Sequence, residues 1–286
     1  MISQRLYQYG LLMRLHRPVG TLLLVWPMLI AFWFASKGQP RFTFVILFIV
    51  GAFVMRSAGC VINDIADRNF DGHVQRTKDR PLAAGNVSVK EASILFFLLL
   101  MVAFAIVCCT NFYTVILSIL GGGLAFCYPF TKRYIHFPQV VLGASFGWAI
   151  PMAYGAQNQS LPVECWLLFA ATLLWAVAYD TLYAMVDRED DKKIGIKSTA
   201  IIFGAFDKLW IGLCHFSMLG LLVLVGQRLA LNMPYYAGIS LAMGLVLYQQ
   251  WLIRDRNPQA CFRAFLNNQW VGAFLFLGTI LSYTSN

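Results

Sequence analysis

The chain of 286 residues is 59% hydrophobic and only 12% charged, with a mean hydropathy of +0.65. Soluble globular domains carry about a quarter charged residues, so the composition excludes an ordinary soluble domain and indicates an integral membrane protein. The net charge of +9 does not indicate a nucleic-acid surface, because the basic residues are tethered between apolar runs and lie beside an anionic leaflet.

Nine apolar segments are expected to span the bilayer as helices, taken in chain order as 18–35, 42–63, 92–109, 112–130, 139–156, 164–186, 208–226, 235–253 and 266–283. Several run past the ~18 apolar residues that a spanning helix needs, and the alternation of a β-barrel is absent. The first span opens with charged residues and continues into proline-containing helix without a small-residue cleavage site, so no removable signal peptide is expected. The second contains Arg56 and ends in NDIADRNFDGHVQRTKDR, residues 63–80. Lys132 and Arg133 close the fourth, where an anchoring role at the interface competes with a role in binding. The sixth runs through CWLLFAATLLWAVAY into Asp180 and on to DREDDKK at 187–193. The seven cysteines mostly lie in apolar runs without metal-ligand spacing and read as small buried hydrophobes. His16, His73, His136 and His215 show no mutual metal spacing and are treated as non-catalytic. The chain is expected to form one domain, 1–286.

Lys and Arg in the connections set the orientation. Eighteen fall with the N-terminus and the loops after spans two, four, six and eight, whereas only Lys37, Arg41 and Arg228 fall on the other side. The first side is therefore expected to be cytoplasmic. An odd number of spans then leaves the C-terminus periplasmic, in a bacterial inner membrane. Both long cytoplasmic loops carry the pattern Asp, Arg, two residues, Asp: DRNFD at 67–71 and DREDD at 187–191. Each sits at the end of an even-numbered span. Two pseudo-symmetric four-helix halves plus a ninth helix would bring these acidic edges face to face across a cavity.

Along a continuing helix Asn63, Asp64, Asp67 and Asp71 share one broad face. Carboxylates this close repel one another unless a cation lies among them, and Mg²⁺ favours a few carboxylate oxygens together with substrate phosphate. Asp180, Tyr183 or Ala184, Asp187 and Asp191 repeat the pattern, with Asp180 the deepest and for that reason a functional candidate. Basic residues follow each edge: Arg76, Lys78 and Arg80 after the first, Lys192, Lys193 and Lys197 after the second. Carboxylates, metal and surrounding Arg and Lys form an arrangement that stabilises a departing diphosphate. Arg56, about two turns below Asn63, shares its face, and a charge at that depth belongs in a cavity or in a structural pair.

NDIADRNFD with RTKDRPL, then YAMVDREDDKKIGIKST, resembles the paired aspartate-rich motifs of the UbiA family of intramembrane prenyltransferases, and neither motif departs from the family pattern. The longer stretches GCVINDIADRNFDGHVQRT, CYPFTKRYIHFPQVVLG and AVAYDTLYAMVDREDDKKIGIKST are most similar to the branch that prenylates 4-hydroxybenzoate. The resemblance implies an all-α, nine-helix membrane bundle, Mg²⁺ dependence, a polyprenyl diphosphate donor and 4-hydroxybenzoate as acceptor. It implies that Asn63, Asp64, Asp67 and Asp71 hold one metal edge and Asp187 and Asp191 the other, with Asp67, Asp71, Asp187 and Asp191 catalytic and Arg76, Lys78 and Arg80 on the diphosphate. Asn63, Asp180, Tyr183 and Lys197 join the substrate-binding set, and either Arg56 or Arg133 receives the acceptor's carboxylate.

Three alternatives stay open. A transporter also carries intramembrane acids and repeats, although its acids would spread toward the midplane. A CDP-alcohol phosphotransferase would need an alanine before the arginine of DGHVQR and a downstream aspartate pair. A related prenyltransferase with another aromatic acceptor is the nearest competitor.

Overall fold

The computed structural model describes residues 2–73 and 76–285; Met1, the side chains of Ile2, Ser3 and His73, all of Val74 and Gln75 within the first motif, and Asn286 lie outside the described residues. Among the described residues the chain is all-helical, with twelve α-helices and two single 3-10 turns. They are α1 (Ile2–Leu12), α2 (Val19–Ala35), α3 (Phe42–Asp67), α4 (Val89–Cys108), α5 (Phe112–Thr131), α6 (Pro138–Gly147), α7 (Ala149–Asn158), α8 (Val163–Ile194), α9 (Thr199–Phe203), α10 (Asp207–Arg228), α11 (Met233–Leu252) and α12 (Pro258–Thr284).

Helix occupies all nine expected segments, but among the described residues only six stretches combine the length and apolarity to cross a membrane: α3, α4, α5, α8, Thr199–Arg228 and α12. The others fall short for local reasons. The 17 residues of α2 make a shorter apolar helix, and the polar Gln249 and Gln250 sit near the end of α11. The fifth expected segment is interrupted at Trp148. Pro151 has no N–H to give the carbonyl of Gly147 four residues back, and loss of that bond breaks the helix there.

The axis of the fold is α8, the most enclosed span, with 61% of its apolar window buried against 11% for α5. It packs against α6, α10 and α12. Trp175, Ala176 and Tyr179 of α8 join Met28, Ile150, Met218 and Val271 in the main core. A second cluster lies toward the basic end, between α8, α10 and α12, and a third fixes α1 and α4 against α3. Backbone contact is closest between α11 and α12: a Cβ on Gly238 would lie 2.7 Å from the Phe274 carbonyl oxygen and 3.1 Å from Gly278 Cα. Small residues at helix crossings permit such approach.

The turns holding the polar loops have recognisable causes. Ser88 accepts from the Glu91 backbone N–H while Glu91 accepts from that of Ser88, a reciprocal cap that starts α4 cleanly. Gly195, at φ 74, ends α8 in the left-handed region.

Candidate active site

A cavity of about 1200 Å³ opens where α3 and α8 meet the basic loops. Its lower wall is apolar, with Met28, Leu47, Phe48, Phe104 and Met152. Its mouth holds both acidic edges. From the first come Asn63, Asp64, Asp67 and Asp71, and from the second Asp180, Tyr183, Asp187 and Asp191. The second set keeps its shared face on α8, and Asn63, Asp64 and Asp67 keep theirs on α3, but α3 ends at Asp67, so Asp71 reaches the cavity from the single 3-10 turn that follows rather than from a continuing helix.

Two side chains seal Asp64, whose exposure is 0%. Arg14 Nη2 donates to both of its carboxylate oxygens, at 2.7 and 3.0 Å, and Arg80 Nη1 reaches Oδ1 at 3.2 Å. The same Arg80 nitrogen spans the two oxygens of Asp71, at 3.0 and 2.9 Å. Lys132 Nζ bridges Asn63 Oδ1 at 3.1 Å and Asp67 Oδ2 at 3.2 Å. Asn63 is turned by its own amide, which donates to Asp67 Oδ2 at 3.2 Å. Burial pushes the Asp71 carboxyl up against the pull of Arg80, and the charges of Asp64 and Asp67 add to the rise. Burial works against the Lys132 charge, yet the adjacent Asp67 holds its ammonium above the ordinary range.

The second edge is covered from the first half. Arg76 donates from Nε to Asp187 Oδ1 at 2.9 Å and from Nη2 to Oδ2, while its Nη1 donates to the Tyr183 hydroxyl. Its guanidinium also lies 4.5 Å from the Tyr183 ring centroid. Asp180 and Asp191 have no ion-pair partner among the described residues. Lys197 borders the cavity and ties two loops together, donating its backbone N–H to the Lys132 carbonyl and Nζ to that of Tyr134, both at 3.0 Å.

Deeper down, Arg56 lines the cavity and has no ion-pair partner among the described residues. Its Nη1 donates to Cys60 Sγ at 2.8 Å, and its guanidinium lies 6.0 Å from the Phe146 ring centroid. A Cβ on Gly20 would come within 2.6 Å of this guanidinium, so a side chain there would push the end of the arginine aside. The cation thus sits beside a thiol and an aromatic ring rather than against a carboxylate.

Two expected residues lie elsewhere. Lys78 is exposed and off the cavity wall, because its loop turns Arg76 and Arg80 inward on either side of it. Arg133 also leaves the wall: it donates to the Ala66 carbonyl and stacks 5.2 Å from the Phe70 ring centroid, behind the turn that carries Asp67 and Asp71. Its neighbour Lys132 points into the site instead, since successive residues of a helical turn point about 100° apart. Lys192 and Lys193 pair with Glu189 and Asp190 on the outer surface. Arg14 was not legible from sequence, because it reaches Asp64 across 50 residues. The one local sign of its special place is a left-handed φ of 58, which spacing does not reveal.

The cavity wall carries Asp64, Asp67, Asp71, Asp79, Asp180, Asp187 and Asp191 against Arg14, Arg17, Arg56, Arg76, Arg80, Lys132 and Lys197. The fixed charges balance, so a multiply charged anion entering the mouth needs an added cation. The donors are all oxygens, as Mg²⁺ prefers, and Asn63 and Asp67 already converge on one cation, the Lys132 ammonium. Among the described residues no three acidic or His/Cys side chains form a closed metal cage. Mg²⁺ fits such an open set, because it is bound through one or two carboxylates together with water and substrate phosphate.

A sequence model of the UbiA prenyltransferase family matches residues 24–278. The 4-hydroxybenzoate octaprenyltransferase of Pectobacterium carotovorum subsp. carotovorum (strain PC1) is 54% identical over 272 residues, 95% of each chain. Among solved structures, the apo form of a UbiA homologue from Aeropyrum pernix K1 superposes with a TM-score of 0.80 at 24% identity, covering 91% of this chain and 97% of that one. A UbiA homologue from Archaeoglobus fulgidus bound to GPP and Mg²⁺ gives a TM-score of 0.73 at 19% identity, covering 96% and 99%.

Proposed function

The chain belongs to the UbiA prenyltransferase family, and from that premise we propose that it transfers a polyprenyl group from polyprenyl diphosphate to the ring carbon ortho to the phenol of 4-hydroxybenzoate, releasing diphosphate, as a step of ubiquinone biosynthesis. The observation that carries this reading is two acidic edges facing each other at the polar mouth of a cavity whose lower wall is apolar. A diphosphate belongs at such a mouth and its prenyl tail beneath it. The name of the Pectobacterium relative, together with 54% identity along 95% of both chains, supports the acceptor.

Mg²⁺ would be held by Asn63, Asp67 and Asp71 on one edge and Asp187 and Asp191 on the other, where it would offset the charge of the departing diphosphate. Asp64, sealed between Arg14 and Arg80, serves as a fixed counter-charge that aims Arg80. Arg76, Arg80 and Lys132 exchange carboxylate oxygens for diphosphate oxygens as the donor enters, and charge-assisted bonds of that kind favour ionisation of the allylic carbon–oxygen bond. The apolar wall excludes water from the resulting cation. Nearby aromatic faces such as Tyr179 and Phe146 offer it π density. Arg56 holds the carboxylate of the aromatic acid below, which places the ring for attack by the carbon ortho to the phenolic oxygen. Loss of the proton from that carbon restores aromaticity.

The finer architecture belongs to the same reading: one domain over 1–286, nine spans built as two pseudo-symmetric four-helix halves and a ninth helix, in a bacterial inner membrane with the site near the cytoplasmic face. The excess of basic residues around the site supports that orientation. Membranes carrying the protein should convert labelled 4-hydroxybenzoate and a polyprenyl diphosphate into a labelled lipid only when Mg²⁺ is present. Labelled lipid formed from dihydroxynaphthoate or homogentisate, with none from 4-hydroxybenzoate, would replace the acceptor; no prenyl transfer to any phenol would return the transporter to favour.

A further inference from the structure

The second acidic edge sits on a part of α8 that the bundle does not hold firmly. The 32 residues of α8 extend about 48 Å at 1.5 Å each, against a hydrocarbon core of about 30 Å. Its last turns, from Val186 to Ile194, are half-buried or exposed throughout. Intrahelical hydrogen bonds keep such a projection helical but do not fix its rotation against its neighbours, and Asp187 and Asp191 bear on the cavity only at one rotation. Arg76 grips Asp187 from the cavity side. Just past the end of α8, Lys197 is held to the Lys132 and Tyr134 carbonyls, also bordering the cavity, so the face turned away from the cavity needs a tether of its own.

The opposing tether is Asp207, the first residue of α10, which has 0% exposure and does not line the cavity. Arg188, adjacent to Asp187 and so about 100° around the helix, donates through Nη2 to Asp207 Oδ2. Arg256, from the loop between α11 and α12, donates through Nε to both Asp207 oxygens, at 3.0 and 3.1 Å. It also fastens the stretch before α10 by donating from Nη2 to the Ala205 carbonyl at 2.7 Å. The backbone N–H of Lys208 supplies a further donor at 2.6 Å. Three separate elements thus converge on one carboxylate. An apolar contact at this point would press α8 against α10 while permitting slip, whereas charge-assisted hydrogen bonds have direction and resist rotation.

We propose that Asp207 is a positioning residue for prenyl transfer: by holding Arg188 it fixes the rotation of the cytoplasmic end of α8, and so the aim of Asp187 and Asp191 at the diphosphate and its cation, without touching either. The proposal rests on the function assigned above, and its test has one arm that does not depend on it.

That arm is hydrogen exchange on the full-length protein in lipid nanodiscs. Asp207→Asn should raise amide exchange across residues 187–194 and leave residues 172–182 of the same helix unchanged. In the kinetic arm, Asp207→Asn should raise both the Mg²⁺ needed for half-activation and KM for polyprenyl diphosphate by about tenfold or more, the usual cost of removing a partner that orients metal-binding groups. KM for 4-hydroxybenzoate should stay within about twofold of the parent, because Arg56 lies on the other half. Asp207→Glu, which keeps the charge, should recover part of the loss. Should Asp207→Asn fail to accumulate because it strands two guanidiniums, Arg188→Gln severs the same tether while leaving Asp207 paired to Arg256, and should give the same pattern. Unchanged exchange over 187–194, exchange raised evenly along α8, or equal losses for donor and acceptor would each overturn the proposal. A parent protein that prenylates no phenol would sink the function instead, while the exchange arm would still decide whether Asp207 holds the helix.

Discussion

The two acidic edges share a spacing but are held in different ways. On α3 and the turn after it, Asp64, Asp67 and Asp71 each meet at least one cation, and their side chains are 1%, 9% and 8% exposed. On α8 Asp187 is paired, to an arginine lent by the other half, while Asp180 and Asp191 have no ion-pair partner among the described residues. The first edge is a neutralised scaffold, whereas two carboxyls of the second meet no cation among the described residues. Carboxyls without a partner are where an added cation gains most, and residues locked in buried pairs are where removal costs the fold most.

The comparison breaks first at Asp64. If it is scaffold, Asp64→Ala strands Arg14 and leaves Arg80 with Asp71 alone, and should destabilise the protein by about 3–5 kcal/mol, read as a large fall in the melting temperature in detergent. Asp191→Ala, with no pair to break, should leave that temperature within a few degrees. Equal falls would erase the distinction between the edges.

Next in size is turnover. Asp67→Asn and Asp187→Asn should each lower kcat at least ~100-fold, about 2.7 kcal/mol in the barrier, at unchanged protein level in membranes. Near-normal turnover for either in saturating Mg²⁺ would remove that residue from the mechanism.

A third, smaller effect separates the mouth from the floor. Arg56→Ala should cost about tenfold in kcat/KM for 4-hydroxybenzoate, modest beside the ~2–5 kcal/mol of a fully buried charge pair, and far less for a neutral phenol of similar shape. Arg56→Lys should recover only part of it, since a lysine cannot bind a carboxylate in the bidentate manner. Losses of the same size for both acceptors would assign Arg56 to the diphosphate or to packing.

The smallest concerns the support behind the first edge. Removing the exposed Arg133 stack on Phe70 is worth about 0.5–1 kcal/mol, so Arg133→Ala should lower kcat a few-fold by loosening the turn between Asp67 and Asp71, with KM for 4-hydroxybenzoate unchanged. A selective rise in that KM would make Arg133 the carboxylate partner after all.

Much of this site was legible along the chain because helical phase is a local property. Asn63, Asp64 and Asp67 on one face, and Asp180, Tyr183, Asp187 and Asp191 on another, follow from 3.6 residues per turn, and all of them border the cavity; Asp71 joins them from the 3-10 turn after α3, which helical phase did not predict. The apolar runs between charged loops likewise fixed where helix would form. Tertiary structure decided which opposite charges meet. Arg14 seals Asp64 across 50 residues, Arg76 covers Asp187 across 111, and Arg256 reaches Asp207 across 49. It also decided that Lys132 faces the site while Arg133 turns to Phe70, and that the fifth expected span is interrupted at Trp148. A pair formed between distant segments depends on how whole helices pack, and spacing along one helix carries no record of what the next one brings to it.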